Sequence, residues 1–256
     1  MTHVLRLSAL GTRLDVHCTG ERADLLATSM RVAWSRCIVE GDEAAPTKAA
    51  PPVEARLDDQ GDLARRLMLT TQDITRALIG AQIGRLLMLH AGAVSDPATG
   101  RSLVYVAPGG TGKTTLTRRL GQRFGYLTDE TVGIDKAGVI LPYPKPLSVR
   151  RPDGLGPKDE VSPDTLGLEP AHPQPRATRV VLLDRRPDVA GLELEEIPFM
   201  DALFALTEQS SSLPRLDRPL HRLAELIDAA GPVLRVRYAE ASDVEAELTR
   251  LIGDAP

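Results

Sequence analysis

Three glycines, a lysine and three threonines crowd into Ala107-Pro108-Gly109-Gly110-Thr111-Gly112-Lys113-Thr114-Thr115. Glycine has no Cβ, so Gly109, Gly110 and Gly112 let successive backbone N–H groups converge on an anion that side chains would hold off. Lys113 is placed to reach the β- and γ-phosphates of a nucleotide, and the Thr114 hydroxyl to face a magnesium ion. Pro108, Thr111 and Thr115 complete the candidate cradle. One position departs from the usual phosphate-loop pattern: Ala107 stands where a first glycine is common. Alanine is small and lies at the strand exit, so the cradle survives. The plainer alternative is a glycine turn with no chemistry. A turn alone needs no lysine followed by two threonines.

A nucleotide site also needs a carboxylate for the metal and a group to take a proton. Tyr126-Leu127-Thr128-Asp129-Glu130 ends an apolar strand in two acids. Neighbouring side chains on a strand point to opposite faces. At a strand end the chain can turn so that both face one site, and one acid then serves the metal while the other takes the proton. Asp184, closing Val180-Val181-Leu182-Leu183-Asp184, is a second candidate. It is followed by Arg185, Arg186 and Pro187 and reads at least as well as a turn starter. His90 begins the segment just ahead of the glycine-loop strand, where it could hydrogen-bond the acids and tune their charge. His3, His17, His172 and His221 carry no such context. Arg150, after Pro146-Leu147-Ser148-Val149, is an edge arginine that could meet an acceptor or a moving phosphoryl group; a solvated role is the simpler one.

These groups need elements to position them. Leu103 to Val106 reads as a buried strand, and Thr114 onward as a helix with Leu116 and Leu120 on one face. Upstream, Val4–Leu7 and Arg13–Cys18 read as strands and 22–38 as a helix. Residues 41–52 read as a loop. Val53–Leu57 and Leu63–Leu69 read as a hairpin, and Asp73–Leu87 as a helix. Downstream, Val132–Ile134 and Val139–Leu141 form a hairpin around 135–138. Leu147–Arg150 is a strand, and 151–177 is expected to be a long surface loop. Val180–Leu183 and Val233–Tyr238 are strands; Asp201–Leu206, Arg218–Ala230 and Asp243–Ile252 are helices. Alternating strands and helices make the class α/β. The expected division is an N-terminal α/β segment over 1–88, for docking or dimer contact, and a P-loop core over 89–256.

Composition excludes several other classes. Hydrophobic residues are 42% and charged residues 26%, ordinary for a globular chain, while aromatics are 3%, so aliphatic packing must build the core. The formal net charge of −4 gives no support for a nucleic-acid surface. No apolar run is long enough for a membrane span, and the N-terminus lacks the apolar stretch of a signal peptide. A cytoplasmic protein is expected. Cys18 and Cys37 make no framework and no metal pattern. Two reduced thiols are the preferred reading, with a Cys18–Cys37 bridge as the alternative. The sequence leaves a homo-oligomer open.

His90-Ala91-Gly92-Ala93-Val94, the glycine loop, Tyr126 to Asp135, and Leu141 to Arg150 follow one another in an order that resembles the HPr-kinase-related proteins. Those share the fold of HPr kinase/phosphorylase and phosphoenolpyruvate carboxykinase. The resemblance is closest to a branch found with lasso-peptide genes, in which Asp-Glu stands where HPr kinases have Asp-Asp. It implies a P-loop kinase core that uses ATP and Mg²⁺. It also implies that Asp129 activates a substrate hydroxyl, Glu130 serves the metal, and His90, Lys113 and Thr114 complete the site. The acceptor would be a serine of a protein or peptide, or a small molecule. The signature that follows the acid pair in bifunctional HPr enzymes is absent, as is a basic helix for gripping HPr. A P-loop ATPase or nucleotide switch without an acceptor is the runner-up.

Overall fold

The computed structural model describes residues 2–40, 49–151 and 154–253. In chain order the first elements are β1 (His3–Ala9), β2 (Thr12–Thr19), α1 (Ala23–Ala33), β3 (Val53–Arg56) and α2 (Leu63–Gln82). Next come β4 (Leu87–Ser95), β5 (Arg101–Val106), α3 (Lys113–Leu120), β6 (Gly125–Thr128), β7 (Thr131–Ile134) and β8 (Ile140–Leu141). They are followed by β9 (Leu147–Val149), β10 (Asp159–Val161), β11 (Arg176–Arg185), β12 (Leu192–Glu196) and α4 (Phe199–Glu208). The chain closes with β13 (Ser210–Ser211), α5 (Pro219–Ala230), β14 (Leu234–Tyr238) and α6 (Ala241–Gly253). No helix among the described residues is long and apolar enough to cross a membrane.

The chain folds as two compact units. One comprises Met1–Gln82 with Tyr143–Gly167. Its β1 and β2 form an antiparallel hairpin, and β3 adds parallel to β2. Leu5, Leu7, Leu14, Val16 and Cys18 alternate onto one buried face, as the two-residue period of a strand requires. α1 and α2 supply Leu26, Met30, Ile74 and Leu78 to the same core, together with Trp34 and Tyr143.

Four expectations need correction. Leu63–Leu69 is not a strand but the start of α2. Asp62 supplies the reason: its carboxylate accepts from the Arg65 N–H at 3.2 Å and its carbonyl from Arg66 N–H at 3.0 Å, which starts a helix. Leu63, Leu67, Ile74 and Leu78 then reach the core on one helical face. The 151–177 span is not one long loop, because β10 pairs antiparallel with β9 and Ser162 and Leu168 are buried. Asp164 is held there by the Ser35 hydroxyl and by the Arg36 guanidinium at 2.7 Å. The expected boundary also differs: 143–167 falls within the first unit rather than with the rest of 89–256. Tyr143 explains this, being buried with Trp34 and sharing a 2.7 Å hydrogen bond with Thr75. Helix α1 ends at Ala33, short of the expected Ile38. Most of the expected 41–52 loop lies outside the described residues. Both cysteines are free thiols, and burial pushes Cys18 up to about 11 and Cys37 up to about 12.

The other unit, Ile83–Pro142 with Leu168–Pro256, is a mixed sheet with helices on both faces. Strand order is β12-β14-β11-β5-β4-β7-β8, with β6 and β13 also paired to β4. β5, β11 and β14 are mutually parallel neighbours, while β4 runs antiparallel to β5, β6 and β7. Alternation splits β5 between two cores. Val104 and Val106 pack with α4 and α5 residues such as Leu206, Leu223 and Ile227. Leu103 and Tyr105 pack with Leu116 and Leu120 of α3 and Leu248 of α6. Strands β12 and β13 were not anticipated: β12 is a Glu-rich edge strand and β13 is too short to leave a pattern.

The glycine of the His-Ala-Gly-Ala stretch has a packing reason. Gly92 pairs opposite Tyr105, and a Cβ there would lie 2.1 Å from the tyrosine ring. The Tyr105 hydroxyl is itself engaged with Thr117, so the ring cannot swing away freely. Gly92→Ala is predicted to destabilise the protein by about 1–3 kcal/mol, the usual cost of overpacking. Urea unfolding measured beside the parent protein checks this.

Candidate active site

The glycine loop leaves β5 after Val106 and enters α3 at Lys113. Gly110 and Gly112 adopt φ of +85° and +95°, a region that L side chains avoid. Gly109 has no such excuse: its φ is ordinary, it is exposed, and a Cβ added there would meet nothing within 4 Å. The loop backbone at 109 is therefore open to approach from outside. The first turn of α3 itself holds no acidic residue.

Side chains brace this loop from within and from below. The Lys113 ammonium donates to the Ala107 carbonyl at 2.5 Å and to that of Pro108 at 2.9 Å. The Thr111 hydroxyl donates to Pro108 O at 2.7 Å, and the Tyr238 hydroxyl to Thr111 O at 3.0 Å. Thr117 donates to Lys113 O at 2.9 Å and shares a hydrogen bond with Tyr105. Burial lowers the Lys113 pKa to about 8, against the opposing pull of Asp129 and Glu130. Thr115 is exposed.

The two acids sit on the bend between β6 and β7. The Thr128 hydroxyl oxygen accepts from the N–H of Glu130 at 3.3 Å and of Thr131 at 3.4 Å, which fixes the bend. Asp129 is 5% exposed. One of its oxygens accepts from the Thr114 hydroxyl at 2.7 Å and the other from Tyr126 at 3.4 Å. A shift of register between Ala93 and Val94 in the β4–β6 ladder is the kind of bulge that re-aims side chains near a site. His90 pairs opposite Thr131, beside the acid bend. Burial, then the Lys113 charge, lower its pKa, and Glu130 and Asp129 only partly oppose this, so the ring is neutral at neutral pH.

The structure therefore gathers His90, Lys113, Thr114, Asp129 and Glu130. It does not gather the other candidates with them. Asp184 is engaged by Arg186 at 2.9 Å and Arg237 at 3.6 Å, the role of a strand-end salt bridge. Arg150 belongs to the first unit, where it lines a cavity of about 470 Å³ with Arg65, Met68 and Lys158. Sequence reasoning missed Tyr105, Tyr126 and Tyr238. A signal existed: the chain has only four tyrosines, and a buried phenol must find a partner for its hydroxyl.

The donor set can be tested against a metal. No group of three His, Cys, Asp or Glu side chains able to hold one occurs among the described residues. Those residues therefore form no all-protein cage of the zinc type. Magnesium asks for less: one or two protein oxygens, with water and phosphate completing an octahedron at ~2.1 Å. Neighbouring oxygens of such an octahedron are roughly 3 Å apart. Thr114 Oγ1 and Asp129 Oδ2, 2.7 Å apart, fit that spacing, with the Glu130 carboxylate next in sequence.

No family model and no curated protein matches the chain. Among solved structures, the HPr(Ser) kinase/phosphatase from Coxiella burnetii is similar over 65% of this chain and 93% of its own, at 12% identity and a TM-score of 0.32. At that TM-score the likeness decides neither the fold nor the activity of this chain.

Gly109 supplies the prediction. Gly109→Ala is expected to leave folding stability unchanged or raise it by up to ~1 kcal/mol, because alanine costs the unfolded chain freedom and meets no obstacle in the folded one. The same variant should weaken binding of any phosphate-bearing ligand at this loop. Urea unfolding and nucleotide titration on one preparation measure both effects.

Proposed function

We propose that the glycine-loop unit is an ATP-dependent kinase that transfers the γ-phosphate to a hydroxyl. The acceptor class is a serine of a protein or peptide, or a small molecule. One observation carries the reading: the first-turn hydroxyl of the glycine-loop helix, Thr114, lies 2.7 Å from a nearly buried carboxylate, Asp129. A structural glycine turn has no use for that carboxylate. It is costly to bury unless it is paired, and its neighbours are Thr114, Tyr126 and the charge of Lys113.

In this reading the loop amides and the N-terminus of α3 hold the β- and γ-phosphates, and the Lys113 ammonium exchanges its carbonyl partners for phosphate oxygens. Thr114, Asp129 and Glu130 would hold magnesium. When bound, that ion neutralises charge on the phosphate oxygens. Asp129 accepts the proton of the incoming hydroxyl as that oxygen bonds to the γ-phosphorus and the bond to the β-phosphate oxygen breaks, releasing ADP. His90, opposite Thr131, flanks the acid bend and helps to set its position. Pro108, Gly109, Gly110, Thr111, Gly112 and Thr115 are the remaining nucleotide contacts of this proposal.

Two outcomes test the reading. Asp129→Asn should still bind metal-free ATP, while single-turnover transfer of γ-labelled phosphate falls by roughly 10²–10⁴, the range of general-base catalysis. Unchanged transfer would remove Asp129 from its role. The lysine gives a pH signature. A polyanion favours the ammonium form, so bound Lys113 titrates above its free value of about 8. Binding of metal-free ATP should therefore take up no proton at Lys113 well below that pH. Above it, binding should take up protons and weaken as pH rises. Calorimetry at alkaline pH in two buffers of different ionisation enthalpy measures the uptake.

A further inference from the structure

Tyr238 closes β14, a strand separated from β5 by β11 in the sheet. Its side chain is 1% exposed, yet its hydroxyl reaches the glycine loop and donates to the Thr111 carbonyl at 3.0 Å. The other side-chain contacts of the loop carbonyls described above, from Thr111 and Lys113, come from the loop and the first residue of its own helix. Tyr238 is anchored elsewhere, in the apolar core shared by α3 and α6. It therefore references the loop to the sheet.

The carbonyl it holds belongs to the same peptide unit as the Gly112 N–H. A trans peptide is planar, and its C=O and N–H point in opposite directions. Fixing the Thr111 oxygen onto Tyr238 thus turns the Gly112 N–H away from the phenol. Gly112 is also where this peptide could most easily rotate, because its φ of +95° lies in a region only glycine visits freely. A donor on the carbonyl further polarises the N–H of the same unit. Gly112 precedes Lys113, so this N–H opens the helix end where an anion would bind.

We infer that Tyr238 is a positioning residue for nucleotide binding: its hydroxyl locks the Thr111–Gly112 peptide so that the Gly112 N–H faces the phosphates. This rests on the nucleotide-binding reading above. Burial also keeps the phenol protonated, and so a donor, by raising its pKa. The lock acts before any phosphate arrives and does not depend on the terminal phosphate. ATP and ADP should feel its loss alike.

The test uses the full chain with Tyr238→Phe, which keeps the ring and removes the hydroxyl. ATP and ADP affinities, titrated without metal, should each fall about tenfold, the scale of one hydrogen bond. Thermal unfolding of the ligand-free protein should move by no more than a few degrees. A second measurement uses the unaltered protein labelled with ¹⁵N-glycine, so it does not depend on the variant folding. On adding ADP, the Gly112 amide should shift downfield as it donates to phosphate. If the parent protein binds neither nucleotide, the nucleotide reading itself fails. If it binds and Tyr238→Phe binds equally well, or the Gly112 amide does not move, the positioning role is overturned.

Discussion

The contact between Thr114 and Asp129 depends on strand β4, which measures out the distance between two otherwise separate pieces of chain. On one side β4 pairs with β5, and Ala91 stands opposite Val106, the last strand residue before the glycine loop. On the other side it pairs with β7, and His90 stands opposite Thr131, the first residue after the acid bend. The Ala91 N–H also reaches the Glu130 carbonyl at 3.2 Å. Loop exit and acid bend are thus brought to one level by adjacent residues of one strand. A one-residue slip in either ladder would turn side chains to the opposite face and separate the hydroxyl from the carboxylate.

Electrostatics follow from that placement. Lys113 is a largely buried cation, which is costly without partners. Two loop carbonyls and the nearby charges of Asp129 and Glu130 offset part of the cost, and its lowered pKa shows that the offset is incomplete. A polyphosphate would supply the remainder. The same lysine charge helps keep His90 neutral, so the histidine is not a second cation beside the loop. The tyrosines work below these charged groups. Tyr105 steadies the first turns of α3 through Thr117, Tyr126 meets Asp129, and Tyr238 holds the loop apex.

Much of the site was legible because its chemistry is local. Gly-Lys-Thr between a strand and a helix, and two acids at a strand end, are written in consecutive residues. Their meeting was not written there. It comes from the β4 register, a long-range pairing that no short pattern specifies. The misreadings have similar causes. Leu63–Leu69 is apolar enough for a strand, and the capping role of Asp62 decided for a helix. The proline-rich look of 151–177 hid the short β10 strand, which exists because β9 offers it an edge. Asp184 ends a buried strand as an acid should, but Arg186 and Arg237 already occupy it. The tyrosines were overlooked because their role is carried by single hydroxyls that arrive from distant strands.

The account stands most directly on the cooperation of Thr114 and Asp129 around one ion. The decisive measurement is the gain in ATP affinity on adding magnesium, titrated for the parent protein, Thr114→Val, Asp129→Ala and the double variant. The account predicts a clear gain in the parent and its loss in each single variant. The double variant should be no worse than either single one, since both residues serve the same ion. Losses that simply add, or a magnesium effect untouched by both substitutions, would contradict it.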